Sequence, residues 1–124
     1  MNRARRLHAP DDVLATAAGA AAADPAALDA CRRLLAGLRR ADAERGSDLE
    51  RTLRTYYTCG ASVSAAAEAL FLHRNSVRYR LDRVRALLGA ELEHPLISAA
   101  LLAAFAIDDA SRKTAIDDEA QRAQ

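Results

Sequence analysis

The residues best suited to chemistry lie between positions 73 and 83, where side chains with several hydrogen-bond donors recur at short spacing. Arginine can bind the O6 and N7 atoms of guanine, and asparagine can pair with N6 and N7 of adenine. Arg74 and Arg78 suit the first contact, Asn75 suits the second, and Tyr79 can reach a phosphate or a thymine methyl. These residue types at this spacing therefore point to recognition of base edges in duplex DNA.

A helix over residues 74–88 would hold these donors on one side, because successive residues of a helix turn by about 100°. The same helix would bury an apolar stripe formed by Val77, Leu81, Val84 and Leu88. Asp82 is the one acid among five arginines in this segment, whereas an ordinary exposed helix mixes glutamate with arginine or lysine. The pattern therefore favours a polyanionic partner, with a solvated surface helix as the alternative.

A shorter helix is predicted over residues 63–70, separated from the basic helix by Phe71-Leu72-His73. A short helix, a tight turn and a longer helix form the order of elements in a helix-turn-helix. Ala67 provides the small residue needed where the two helices meet. Apolar contacts around the turn are predicted at Ala66, Leu70, Leu72, Val77 and Leu81. We therefore predict that Arg74–Leu88 is a recognition helix that enters the major groove.

Phosphate contacts are predicted at the margins of this motif. Arg80 and Arg83 lie off the edge that faces the bases, and they suit phosphate oxygens. Ser62 and Ser64 lie at the N-terminus of the shorter helix, where free backbone amides attract anions. His73 is interpreted as the cap of the recognition helix, which could also donate to a phosphate.

The composition predicts that the protein carrying these residues is all-α. Alanine accounts for 31 of the 124 residues, while valine and isoleucine together number seven. The length suits one small domain, and no apolar run is long enough to span a membrane. The net charge of +1 conceals a basic stretch, residues 51–88, with seven arginines and two acids. A cytoplasmic protein with a local anionic partner is expected.

Caps and periodicity divide the chain into about six helices. Asp11-Asp12, after Pro10, is expected to begin the first helix, which runs to about Ala22, and Asp24-Pro25 is expected to begin the second. The apolar stripe of the second helix contains Leu28, Cys31, Leu34, Leu35 and Leu38. A polar connection is expected over residues 41–46.

Cys31 and Cys59 are interpreted as buried thiols.

The remaining boundaries also follow from local signals. Ser47-Asp48-Leu49-Glu50 has the spacing of a capping box, and Gly60 can end the helix that it begins. The apolar face of this third helix contains Leu49, Leu53, Tyr56 and Tyr57. Gly89 is expected to end the recognition helix, and Pro95 to begin a last apolar helix through about Ile107. Residues 108–124 are expected to form a frayed helix or a disordered tail.

The segment 73-HRNSVRYRLDRV-84, followed by Leu88-Gly89, resembles the C-terminal helix-turn-helix domain of the PucR family of bacterial transcriptional regulators. The strings 52-TLRTYY-57 and 65-AAAEAL-70 also fit, so the resemblance covers about residues 47–107, and the second motif helix is similar to the recognition helix of Fis. The base-contacting residues implied by the resemblance are His73, Arg74, Asn75, Ser76, Arg78 and Tyr79.

The resemblance also implies a domain organisation. Residues 1–46 would be a helical linker or the remnant of an upstream sensory or cyclase-like region that is not part of this chain, and residues 47–107 would be the DNA-binding domain. Many helix-turn-helix motifs have glycine where Phe71 stands. The turn must therefore avoid a left-handed backbone or strain a bulky residue.

Other classes of function find no support in the spacing of residues. The three histidines are scattered, and neither cysteine belongs to a Cys-x-x-Cys or Cys/His cluster, so no metal, cofactor or enzyme activity is predicted. The competing hypothesis is a helical protein-interaction or dimerisation module with a basic face. Binding to DNA as a homodimer or higher oligomer is expected, with residues 96–107 as the candidate contact.

Overall fold

Six α-helices and no strand make up the chain over residues 2–123. The computed structural model describes the backbone of these residues and the side chains of residues 10–123. The helices in chain order are α1 (Asn2–Ala22), α2 (Pro25–Arg45), α3 (Leu49–Thr58), α4 (Val63–Leu70), α5 (Arg74–Leu88) and α6 (Pro95–Arg122). The prediction of an all-α protein with about six helices is confirmed.

The chain contains two compact units. One comprises the residues up to Leu34 together with those from Leu101 onward, and the other comprises Leu35–Ala100. Helices α2 and α6 therefore each contribute residues to both units. The predicted functional ranges, residues 1–46 and 47–107, are defined by sequence resemblance and stay a prediction.

The first helix begins earlier than expected. Pro10 lies inside α1 and does not precede it, so the predicted start at Asp11-Asp12 is wrong. Proline removes one helical hydrogen bond, but arginine, alanine and leucine upstream favour the helical backbone and continue α1 to Asn2. The start of α2 is confirmed, because the Asp24 carboxylate accepts a hydrogen bond from the Ala26 amide at 3.0 Å.

The unit formed by the two ends of the chain has a core of small and apolar residues. Its buried members are Ala18, Cys31, Leu101, Ala104 and Phe105. The Cys31 thiol donates to the Ala104 carbonyl, with 2.9 Å between Sγ and the oxygen, which joins α2 to α6. Cys31 is buried as predicted, whereas Cys59 is only half-buried.

Helix α6 does not end near Ile107 as predicted, and the disordered-tail alternative is wrong. It continues to Arg122, because no glycine or proline follows Pro95 in the sequence. The buried Asp108 carboxylate forms an ion pair with Arg112 one turn later, at 3.1 Å. Side chains beyond Ser111 are exposed, so the helix continues there without adding residues to the core.

The start of α3 differs from the predicted capping box. Helix α2 continues through residues 41–45, where a polar connection was expected, and only the positive-φ Gly46 and two further residues separate it from α3. Ser47 donates its hydroxyl to Asp42, and the Asp42 carboxylate accepts from the amides of Leu49 and Glu50 at 2.7 and 3.1 Å. A carboxylate from α2 therefore caps α3, and Glu50 does not reach back to Ser47.

Helices α3, α4 and α5 pack against one another in the unit Leu35–Ala100. The buried residues that they share are Leu49, Leu53, Tyr56, Ala66, Ala67, Val77, Leu81 and Val84. From the second helix, Leu35 and Leu38 are fully buried, whereas Leu34 is exposed. The predicted apolar faces are thus confirmed at most positions, and they fix α5 on the surface of this three-helix arrangement.

Candidate nucleic-acid interface

Helix α4 begins at a serine cap. The Ser62 hydroxyl accepts a hydrogen bond from the Ala65 amide at 3.1 Å, so it caps the helix, and its proton is still available to donate to a ligand. Ser64, in the first turn, is exposed. Ala66 and Ala67 are buried, which lets α4 approach its neighbours closely, as the helix-turn-helix pattern requires.

The turn between α4 and α5 adopts a left-handed backbone at Phe71, with φ 57° and ψ 42°. The Leu72 amide donates to the Ala67 carbonyl at 2.9 Å, and the Phe71 amide donates to Glu68 at 3.3 Å. These bonds satisfy the last carbonyls of α4. The sequence left two alternatives open at this turn: avoidance of the left-handed region, or strain at a bulky residue. The structure has the second, because Phe71 adopts the left-handed backbone.

Helix α5 begins at His73, which confirms the predicted cap. The Nδ1 atom of His73 accepts a hydrogen bond from the Asn75 amide at 3.1 Å. A ring nitrogen that accepts carries no proton, so the ring donates through Nε2. His73 is exposed, and Nε2 is the atom of this ring that can donate to a ligand.

The two faces of α5 are divided as the sequence predicts. Val77, Leu81 and Val84 are buried, and Leu88 is half-buried. The predicted base-reading residues are all exposed: His73, Arg74, Asn75, Ser76, Arg78 and Tyr79. The structure thus brings these six side chains together at the solvent-facing N-terminal half of one helix.

The charges along α5 are separated into paired and unpaired arginines. Arg85 contacts Asp82 and Glu93 with its guanidinium, and Glu91 lies 4.0 Å away. Burial would raise the pKa of Glu93, but the hydrogen bond and charge of Arg85 outweigh this and lower it. Among the side chains that the structure describes, none forms an ion pair with Arg74, Arg78 or Arg83.

A groove runs beside α5 and is bordered by the start of α3. It is lined by Ser47, Leu49, Asn75, Ser76, Tyr79, Arg80 and Arg83. Two predicted phosphate contacts, Arg80 and Arg83, therefore lie along the same depression as three predicted base contacts. Ser62 and Ser64 are not among its lining residues.

Arg80 is held by a residue that sequence reasoning missed. Its Nη1 atom donates to the Thr52 hydroxyl at 3.4 Å, and that hydroxyl donates in turn to the Asp48 carbonyl at 2.7 Å. Thr52 is fully buried on α3, although threonine is not an apolar residue. A polar residue on the core side of 52-TLRTYY-57 is the signal that could have indicated a buried partner.

The segment after α5 is fixed by two tyrosines of α3. The Tyr56 hydroxyl lies 3.4 Å from Glu93, and the Tyr57 hydroxyl donates to the Leu92 carbonyl at 3.1 Å. Burial raises the pKa of both phenols, which keeps them protonated as donors. The two rings pack at a centroid distance of 5.7 Å, and Tyr56 is buried and Tyr57 half-buried, as expected for the apolar face of α3.

The described part of the chain offers no group of histidine, cysteine or carboxylate side chains that could hold a metal ion. Over the same residues, no helix has the length and apolar composition needed to cross a membrane.

The geometry defines a helix-turn-helix with a donor-rich second helix, and this part of the chain matches the model of a known domain family. The family model of the PucR C-terminal helix-turn-helix domain matches residues 49–107, so this stretch is similar to that domain. The match confirms the resemblance seen in the sequence and supports a DNA-binding regulatory role in general.

Similarity to individual proteins covers a shorter stretch. The uncharacterized proteins Rv2242 of Mycobacterium tuberculosis (strain ATCC 25618 / H37Rv) and Mb2266 of Mycobacterium bovis are each 42% identical over 53 residues. This stretch is 43% of the chain and 13% of each relative, so the chain spans a small part of the length of the curated relatives that it matches. No solved structure matches the chain.

Proposed function

We propose that residues 47–107 form the sequence-specific DNA-binding domain of a transcriptional regulator, with α5 as the recognition helix in the major groove. The N-terminal half of α5 would face the bases. Arg74 and Arg78 would bind guanine, and Asn75 would pair with adenine. His73, Ser76 and Tyr79 complete the proposed base-contacting set.

One observation carries this proposal: the unpaired arginines of α5 lie on the same helix as a single acid, which is paired with another arginine. Asp82 is the acid of α5, and it contacts Arg85, which also contacts Glu93. Arg74 and Arg78 have no such partner among the described residues, and both are exposed. Unpaired guanidinium groups beside exposed amide and hydroxyl donors suit a ligand that offers acceptors and negative charge, as duplex DNA does.

The phosphate contacts are proposed on the margins of the same surface. Arg83 and Arg80 line the groove beside α5, and Thr52 restrains Arg80 so that less side-chain freedom is lost on binding. At the start of α4, backbone amides and the hydroxyls of Ser62 and Ser64 would contact a phosphate, because the Ser62 hydroxyl can accept from the Ala65 amide and donate to the phosphate at the same time.

We further propose that two or more copies bind together. One helix with six contacting residues reads few bases, and most such motifs gain specificity by pairing on half-sites about 34 Å apart. In the candidate contact 96–107, Leu101, Ala104 and Phe105 are buried within the chain. Leu96 and Leu102 are 70% and 40% exposed, and they are the large apolar residues of this segment that could meet a second copy. Sedimentation with a duplex that lacks repeated half-sites tests this, because a saturating 1:1 complex contradicts it.

The regulator is proposed to act in the cytoplasm and to work with a sensory region that is not present in this chain. In the relatives, the matching stretch is a small part of a longer chain, which is compatible with this arrangement. The DNA-binding proposal does not depend on that region.

The proposal is tested by selecting bound duplexes from fragmented genomic DNA and then titrating the selected duplex at several salt concentrations. Affinity should fall steeply with salt, by about 0.9 in the log–log slope for each phosphate neutralised, and should survive an excess of acidic protein. If the chain is instead a helical protein-interaction module, an excess of acidic protein should displace its bound protein partner, and an excess of duplex DNA should not. Salt-independent binding, or equal affinity for all duplexes, contradicts sequence-specific recognition.

A further inference from the structure

Phe71 combines two features that each cost free energy. Its backbone occupies the left-handed region, which a β-carbon disfavours and which glycine commonly occupies at the end of a helix. The residue is 95% exposed, more than any other large apolar residue that the structure describes. Because this arrangement is unfavourable in the free protein, we expect the ring to contact another molecule.

The position of Phe71 indicates which kind of partner covers the ring. It lies two residues before His73, the cap of α5, and so beside the end of α5 proposed to enter the major groove. The side chains that follow it, His73 to Ser76, are exposed donors, and the next acid along the chain is Asp82. Glu68 precedes it by one turn of α4. We therefore expect a polyanion to bind the exposed donors beside the ring, and the same partner to cover the ring.

We propose that Phe71 contacts DNA directly, with its ring packed against deoxyribose or a thymine methyl at the edge of the major groove. The inference rests on the proposed function, because the ring reaches DNA only if α5 does. The contact is apolar, so it adds affinity without releasing counterions from the phosphates. Burial of roughly a third of the ring surface is worth about a five- to tenfold gain in affinity.

Phe71→Gly separates the ring from the backbone conformation, because glycine adopts the same left-handed φ without strain. We expect Tm to stay equal or to rise. The Kd for the duplex selected by the wild-type protein should increase about five- to tenfold, while the salt slope should match that of the wild type. Phe71→Tyr keeps the ring, and its Kd should lie within about twofold of the wild-type value.

Ala61→Gly is the matched control. Ala61 is exposed in the connection before α4 and also has a positive φ, 59°, so glycine relieves the same kind of backbone strain there without removing a ring. Its affinity for the selected duplex should equal that of the wild type. An equal loss in Ala61→Gly and Phe71→Gly would assign the effect to chain flexibility and overturn the inference.

The affinity measurements distinguish a failure of the Phe71 contact from a failure of the proposed DNA binding. Wild-type protein and Phe71→Gly that bind the selected duplex with the same Kd overturn the contact of Phe71 and leave the proposed function intact. Wild-type protein that selects no duplex overturns the proposed function and this inference with it. A reduced affinity whose salt slope has also fallen contradicts an apolar contact, since it indicates a lost phosphate contact.

Discussion

The carboxylate of Asp42 lies 2.7 Å from the backbone nitrogen of Leu49, which places a side chain of α2 at the N-terminus of α3. A second bond joins Asp42 to the Glu50 amide. Two amides that lack partners inside α3 are thereby satisfied, and the negative charge lies at the positive end of the helix dipole. The last turns of α2 are thus part of the support on which α3, and through it α5, is positioned.

Asp42→Ala should destabilise the fold by about 1–2 kcal/mol, because it removes the cap of α3. Asp48→Ala is the control, since Asp48 is the residue directly before α3 but its side chain makes no capping bond. The control should change stability by less than about 0.5 kcal/mol. Urea denaturation of both variants measures the difference, and a larger effect at Asp48 than at Asp42 contradicts the assigned cap.

The stability of the fold should depend on the ionisation of Glu50. Hydrogen bonds from Arg39, at 2.7 Å, and from Arg54, at 3.0 Å, lower the pKa of Glu50 from its ordinary value of 4.5, against the opposing effect of burial. A lowered pKa in the folded state contributes stability above the unfolded-state value. That contribution is lost as the pH falls through the folded-state value.

Wild-type protein should therefore be more stable than Glu50→Gln at pH 7, and the difference should shrink as the pH falls below about 4.5. Denaturation of both proteins across this pH range makes the comparison. A difference that stays constant from neutral to acid pH would show that the ion pairs of Glu50 are not responsible.

Val77→Asp tests the packing of α5. Val77 has no exposed surface, so an aspartate there would leave an unpaired carboxylate in the core, at a cost of several kcal/mol. Ser76→Asp introduces the same charge at the exposed neighbouring position and should leave the melting temperature nearly unchanged. Circular dichroism melts compare the two variants; equal melting temperatures would mean that α5 buries a different face.

Local signals predicted the helix-turn-helix in detail. The observed bounds of α4 and α5 agree with the predicted ones because the caps Ser62, His73 and Gly89 act on amides and carbonyls within a few residues. The buried stripe of α5 follows from the helical period alone, as does the exposed position of its donors.

The sequence did not reveal the contacts between helices. Thr52 and Arg80 are 28 residues apart, so no spacing rule connects them. The expected capping box failed because both of its side chains have tertiary partners: Ser47 donates to Asp42, and Glu50 pairs with Arg39. Such partners override a local preference, and only the folded chain brings them together.

The end of α6 was misplaced for a different reason. The large apolar residues stop near Ile107, which removes the amphipathic signal, but neither glycine nor proline follows to end the helix. Loss of a buried face indicates where packing ends, and it does not determine where the helical backbone ends.

The central claim, that the N-terminal half of α5 reads bases, is tested most directly by comparing Arg78→Ala with Arg83→Ala. Both arginines lie on α5 without an ion-pair partner among the described residues, but only Arg78 lies on the proposed base-reading edge, with Arg83 in the groove beside it. Each variant is titrated against the selected duplex and a scrambled duplex at two salt concentrations.

Arg78→Ala should weaken binding to the selected duplex by about 1–3 kcal/mol, with a smaller loss on the scrambled one. Arg83→Ala should weaken both about equally and lower the salt slope by about one. If Arg78→Ala instead lowers affinity for both duplexes by the same factor, Arg78 does not read a base, and α5 docks in another orientation.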